Sequence, residues 1–219
     1  MPRRARCVIP GIPLHIMQRA VNKQTCFPEP LDRDLYVRLL EEAVEDAECR
    51  VHAYVVMTNH VHILATPDRE DSPGALMKHI GQIYSQYFNR KFQRCGALWG
   101  GRPKICEVHD ASYVMILHRY IELNPVRAGL ARTPEGYAWS SYAHNGLGQL
   151  SWIQPHEVLQ ALGEDVNIRR ANYRSFVAQG SSVHELEAIR IATRQQKALG
   201  DAEFVKRVEA ERLARKKVS

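Results

Sequence analysis

No stretch of this 219-residue sequence holds the ~18 consecutive apolar residues that a membrane-crossing helix requires. The N-terminus, Met-Pro-Arg-Arg-Ala-Arg, leads into no apolar segment of signal-peptide length. Together these absences give the expectation of a cytoplasmic protein. Cysteine is sparse and irregular: Cys7, Cys26, Cys49, Cys95 and Cys106 include no Cys-x-x-Cys pair, so neither a disulfide framework nor a zinc ribbon has support. No internal repeat is visible. What is present is ordinary for a folded chain, with 45% hydrophobic and 25% charged residues, and the length suits one domain with an appendage.

Acidic residues are missing from two whole segments. Lys and Arg number 30 against 24 Asp and Glu, a net charge of +6, and such an excess points to polyanions only where it is clustered. Residues 1–24 hold Arg3, Arg4, Arg6, Arg19 and Lys23 without one acid. Residues 76–104 hold Lys78, Arg90, Lys91, Arg94, Arg102 and Lys104, again without one. Residues 29–49 carry the opposite bias, eight acids against Arg33 and Arg38.

Hydrophobic periodicity supplies the elements. The run from Leu14 to Val21 follows two prolines and reads as a strand. Pro30 to Glu48 carries Leu31, Leu35, Leu39 and Val44 at helical spacing. Two β-rich runs, His52–Met57 and Val61–Thr66, flank Thr58-Asn59-His60 and predict a hairpin. A second helix is predicted over Ser72–Gln93 on Leu76, Ile80, Ile83 and Tyr87, and a short strand over Pro103–Val108. Asp110 reads as the cap of a helix from Ala111 to about Asn124, closed by Pro125 and Gly129. The order strand, helix, strand, strand, helix, strand matches the ferredoxin-like βαββαβ layout, an α+β fold with an antiparallel sheet and two helices on one face. The extra helix is expected on the opposite face. Residues 1–133 would form this core and 134–219 a helical C-terminal extension, with a basic, frayed tail from Arg212.

His60-Val61-His62 opens the second hairpin strand. Strand alternation sends His60 and His62 to one face and Val61, Ile63 and Ala65 to the other, so two imidazoles stand side by side as a ready bidentate metal site. Tyr120 and Asn124, four apart on the last helix of the core, share a face. If that face looks at the histidines, Asn124 can add an amide oxygen as third ligand and Tyr120 can present its phenol beside the metal. Tyr113, Leu117 and Tyr120 equally form an apolar stripe of the kind that packs a core, and spacing alone leaves both readings open.

The string Met57-Thr58-Asn59-His60-Val61-His62-Ile63-Leu64, with Arg119-Tyr120-Ile121-Glu122-Leu123-Asn124-Pro125-Val126-Arg127-Ala128-Gly129-Leu130 downstream, resembles the single-tyrosine HUH transposases, and more closely the REP-associated tyrosine transposases. Gly11 to Phe27 with His15 and Arg19, Leu98-Trp99 through Arg102, and Trp139-Ser140-Ser141-Tyr142 fit the same resemblance. It covers residues 8–145 well and the tail more loosely. Thr58 departs from the proline common in relatives, in a turn that leaves the ligands untouched.

The resemblance implies metal-assisted cleavage and rejoining of single-stranded, hairpin-forming DNA. Tyr120 would be the nucleophile that keeps a 5′-phosphotyrosine, with the divalent ion on His60, His62 and Asn124. Imidazole ligands alone would favour zinc; the family implies Mg²⁺ or Mn²⁺. The partner would be single-stranded DNA with palindromic hairpins, met by a monomer or a homodimer. Candidate phosphate contacts are Arg19, Lys78, Arg90, Lys91, Arg94, Arg102 and Lys104, and Trp99 and Tyr87 are candidates for stacking on unpaired bases. Competing readings are a catalytically inactive hairpin-binding protein of the same fold, a replication initiator of the HUH class, and an RNA-recognition module, the last disfavoured by strands poor in aromatic residues.

Overall fold

The computed structural model describes residues 8–109 and 111–218. The expectations placed on Arg3, Arg4, Arg6 and the Asp110 cap lie outside them. In chain order, β1 (Leu14–Arg19), α1 (Pro30–Asp46), β2 (Cys49–Val56), β3 (His60–Pro67), α2 (Ser72–Lys91), β4 (Lys104–Glu107) and α3 (Ala111–Glu122) form the core. Two one-turn helices follow, α4 (Asn124–Arg127) and α5 (Tyr142–Asn145), then α6 (Val166–Ala178), α7 (Val183–Gln195) and α8 (Ala202–Val218). The strands pair antiparallel in the order β2-β3-β1-β4, which is the ferredoxin-like α+β topology.

Helix α1 starts where Glu29 and Asp32 form a reciprocal capping box with Pro30 in the first turn, where its missing N–H costs nothing. Its buried stripe is Tyr36, Leu39, Leu40 and Ala43, so Leu31, expected inward, is exposed. On α2 the buried stripe is Leu76, Met77, Ile80, Tyr84 and Phe88, which turns Ile83 to solvent. Both stripes pack on one sheet face with Leu14, Ile16, Val51, Val56, Val61 and Ile63. Each such side chain, fully buried, contributes roughly 1.5–3 kcal/mol relative to exposure.

The opposite face carries α3. This helix needs cover all round: Val114, Met115 and the six consecutive residues from Leu117 to Glu122 are buried. The sheet supplies one wall through Ala53, Val55 and Leu64, and the C-terminal helices supply the other through Tyr173, Val177 and Ile189. Arg119 crosses to the extension, donating to Glu185 at 2.6 Å with its guanidinium 4.2 Å from the Phe176 ring centroid.

The extension also covers both sheet edges. Val56 N donates to Trp139 O at 3.0 Å and Ser141 N to Tyr54 O at 3.0 Å, closing the β2 edge. Leu199 N donates to Glu107 O at 2.7 Å and His109 N to Leu199 O at 2.8 Å, closing the β4 edge. Covered edges cannot template pairing with another chain. Residues 212–218, expected to fray, instead form the C-terminal part of α8, where Arg212 makes a two-pronged ion pair with the fully buried Glu107. Among the described residues no helix is long and apolar enough to cross a membrane.

Glu122 is buried behind α3, where Ser141 and Tyr173 hydroxyls and the Asn145 amide donate to it at 2.5, 2.7 and 2.9 Å. Burial outweighs these donors and pushes its pKa up to about 7. The folded chain therefore holds that proton at pH values where the unfolded chain has lost it. Stability from this group is present below about pH 4.5 and is lost as pH rises to about 7, by about 3 kcal/mol. Urea unfolding of Glu122→Gln and the wild-type protein at pH 5 and pH 8 should show the variant gaining on the wild type by about that much at the higher pH. A pH-independent difference would contradict the assignment.

Candidate active site

Strand alternation builds the site. In the β1–β3 register Met17 lies opposite His62 and Arg19 opposite His60. Leu14, Ile16, Val61 and Ile63 take the α1/α2 face, so His15, Arg19, His60 and His62 belong to the other, as predicted for the two motif histidines. The His60 and His62 ring centroids are 5.0 Å apart at an interplanar angle of 85°. Tyr120, from α3, sets its ring 5.5 Å from that of His62 and 6.0 Å from that of His15. The chain thus brings Tyr120 and the histidine pair together without help from a second copy.

Asn124 is not on the same helix as Tyr120. Pro125 has no N–H to donate back to Ile121, so α3 ends at Glu122 and Asn124 opens α4. The Asn124 Nδ2 is buried and meets no hydrogen-bonding partner among the described residues. A half-turn of that amide about its last bond would put an oxygen at the unmet position, which is the donor a cation needs.

The ring nitrogens are divided in a way that fits a metal. Asn59 Nδ2 donates to Lys23 O at 2.9 Å, which turns Asn59 Oδ1 to His60 Nδ1 at 2.6 Å. His62 Nδ1 is 2.7 Å from His15 Nε2. Both motif histidines therefore have Nδ1 engaged, and neither Nε2 meets a hydrogen-bonding partner among the described residues. Metal-bound imidazoles are held in this manner through the far nitrogen. No group of three or more His, Cys, Asp or Glu among the described residues could hold an ion, so any third protein ligand beside the two histidines would be of another type, and an amide oxygen would qualify.

Lys23 reaches its position through strain. Asn22 and Lys23 both adopt left-handed backbone, with φ of 51° and 56°, a conformation that costs a non-glycine residue roughly 1–2 kcal/mol. The Lys23 carbonyl that anchors Asn59 lies in this turn.

Arg127 escaped the sequence reading. Its guanidinium lies 4.6 Å from the Tyr120 ring centroid, and Nη2 donates to Tyr120 O at 2.5 Å. Arg127 stands seven residues after Tyr120, a spacing that two helical turns would have flagged. His15 was also legible, since alternation from Leu14 puts it on the histidine face. Thr193 was not: it meets His15 Nδ1 at 3.1 Å from 178 residues away.

The basic residues are not one surface. Of these, Arg19 on β1 and Lys104 on β4, which pairs with Met17, share the sheet face of His60 and His62. Lys78, Arg90 and Lys91 lie on α2, in the opposite layer; Lys78 and Arg90 are exposed, whereas Lys91 is held by Asp32 at 2.7 Å and Glu29 at 2.8 Å. Arg94 stacks 5.4 Å over Phe88. Arg102 is exposed and Lys104 half-buried at the β4 end. Trp99 and Tyr87 serve the core: the indole N–H donates to Gly81 O at 3.2 Å and the Tyr87 hydroxyl to Asp32 at 2.8 Å.

Paired histidines facing a tyrosine on this fold are the arrangement expected of a single-tyrosine transposase. The family model for IS200-like transposases matches residues 9–124, more than half of the chain, and the protein belongs to that family. Among solved structures, that of a REP-associated tyrosine transposase bound to a REP hairpin superimposes with a TM-score of 0.55 at 17% identity, over 72% of this chain and 93% of the other. A transposase-like protein of Deinococcus radiodurans aligns at 19% identity, over 55% of this chain and 95% of its own, with a TM-score of 0.38. No curated protein matches the sequence significantly.

Burial decides how the histidines titrate. Desolvation takes His15 down to about 3; desolvation, then the Arg19 charge, takes His60 down to about 4. His62 falls well below its ordinary value for the same first reason, with His15, His60, Arg19 and Arg127 adding to it. His15 and His60 stay neutral, and able to offer lone pairs, at pH 5.5, where an ordinary histidine is largely protonated. An NMR pH titration of the ring protons should find no midpoint for His15 or His60 above about pH 5, and one for His62 well below the ordinary histidine value. A midpoint near 6.5 at His60 would contradict the desolvated geometry.

Proposed function

We propose that the protein cleaves and rejoins single-stranded, hairpin-forming DNA through a 5′-phosphotyrosine on Tyr120. One observation carries this reading: the Tyr120 ring lies 5.5 Å from His62, beside two imidazoles whose Nε2 lone pairs are uncommitted. A core stripe needs no such pairing. The relative solved with a REP hairpin supports a folded single strand as the substrate.

The Tyr120 oxygen would attack phosphorus, forming a Tyr–O–P bond as the P–O3′ bond breaks. The displaced 3′ oxygen takes a proton and becomes a free 3′-OH, and the reverse step rejoins the strand. An ordinary phenol, with a pKa near ~10, is a poor nucleophile at neutral pH. A divalent ion, Mg²⁺ or Mn²⁺, when bound, would polarise the phosphate and stabilise the charge that develops on it. His60, His62 and Asn124 are the residues that would hold it, which leaves positions for phosphate oxygen and water. Arg127, against the Tyr120 ring, would meet the substrate phosphate and hold the ring in place. Arg19, on the same face, would fix the strand, and exposed Lys78, Arg90 and Arg102 would track phosphates further out.

Incubation with a labelled single-stranded hairpin and Mn²⁺ should give a covalent protein–DNA adduct. Tyr120→Phe keeps the packed ring and should abolish the adduct, while Tyr113→Phe should leave it. Phosphotyrosine mapped to any other residue would sink the assignment. The His60→Ala/His62→Ala double variant should lose cleavage yet bind the hairpin; retained cleavage would rule out the metal site. Hairpin affinity should fall linearly in log–log form with salt, and Arg19→Glu should flatten the slope. Affinity independent of salt would contradict binding led by phosphate contacts.

A further inference from the structure

Thr193 lies on α7, in the C-terminal extension, and its hydroxyl is 2.7 Å from Ile189 O. A carbonyl oxygen can only accept. Two oxygens at that distance need a proton between them, so the Thr193 hydroxyl points its hydrogen at Ile189. The Thr193 oxygen is then left to accept from His15 Nδ1, 3.1 Å away. His15 is 1% exposed, and its ring meets Thr193, His62 and Tyr120, none of them an anion. A charged imidazole there would be buried without a counter-charge, which is costly, so the ring is neutral and carries its single proton on Nδ1.

The next bond follows. With Nδ1 protonated, His15 Nε2 can only accept, and the hydrogen in the 2.7 Å contact with His62 Nδ1 belongs to His62. That leaves His62 as the Nδ1–H tautomer with a bare lone pair on Nε2. The chain Ile189 O, Thr193, His15, His62 thus has a fixed polarity set by a carbonyl at its far end. His60 is served by a shorter chain of the same kind, which ends at Lys23 O and passes through Asn59.

We propose that His15 and Thr193 are positioning residues that lock His62 in the tautomer able to bind a metal through Nε2. The proposal makes α7 part of the site, although it lies far outside the matched residues 9–124. It rests on the reading of His60 and His62 as metal ligands only for its consequence. The tautomer itself is a property of the metal-free protein.

The test uses the full-length chain. Long-range ¹H–¹⁵N NMR of the metal-free protein should give His15 and His62 the shifts of Nδ1–H rings. Thr193→Val keeps the side-chain shape but removes the acceptor, so His62 should acquire Nε2–H character and Mn²⁺ affinity should fall about tenfold. Thr193→Ser restores the hydroxyl and should restore both readouts, which a merely structural role would not require. An Nε2–H signal for His62 in the wild-type protein would overturn the proposal, whatever the variants do. So would a Thr193→Val protein with unchanged tautomer. Loss of Mn²⁺ binding in the wild type, beside an intact Nδ1–H signal, would sink the metal reading and leave this one standing.

Discussion

Alternation along the paired strands β1 and β3 governs everything else in the molecule. Side chains of period two must split between two faces, and both faces of this sheet are buried. Leu14, Ile16, Val61 and Ile63 turn toward α1 and α2, so His15, Arg19, His60 and His62 are obliged to turn toward α3. A slip of one residue in that register would turn the histidines toward α1 and α2 and send Val61 and Ile63 to the α3 face. The polar face then needs cover that satisfies it, and α3 with the C-terminal helices provides it.

That cover explains why the extension is more than an appendage in physical terms. It lines the second wall of α3, pairs with the backbone at both sheet edges, and sends Arg212 to the buried Glu107. Removing water from this side of the sheet also sets the chemistry. The same desolvation that keeps His15, His60 and His62 neutral makes their lone pairs available and raises the worth of any charge brought close to them. The stability of this face and the neutrality of its histidines come from one cause.

The charges divide along the layers. Arg19 and Arg127 stand on the histidine side, while α2 presents Lys78 and Arg90 from the other. A strand bound at both, as proposed, would have to pass around the end of the sheet rather than lie flat on one face. The acid-free stretch 76–104 looks uniform in sequence, yet Lys91 is spent on Asp32 and Glu29, and Arg94 lies over Phe88.

Strand and helix order, the hairpin, and the facing of His60 and His62 were legible because each is a local consequence of period and spacing. The motif strings around His60 and Tyr120 carried the family resemblance for the same reason. The stripes on α1 and α2 were legible in part: Leu39, Leu76 and Ile80 are buried as their spacing implied, while Leu31 and Ile83 satisfy the spacing but tertiary contacts chose Tyr36 and Tyr84 instead. Pro125 was read as closing the helix at about Asn124, but the helix already ends at Glu122 and Asn124 opens the next one. Other features had no local signal at all: Thr193 behind His15, Leu199 on the β4 edge, Arg212 on Glu107. Those pairings join residues about a hundred or more positions apart, and only the packing of the C-terminal helices against the sheet decides which distant side chain meets a buried polar group that must be satisfied.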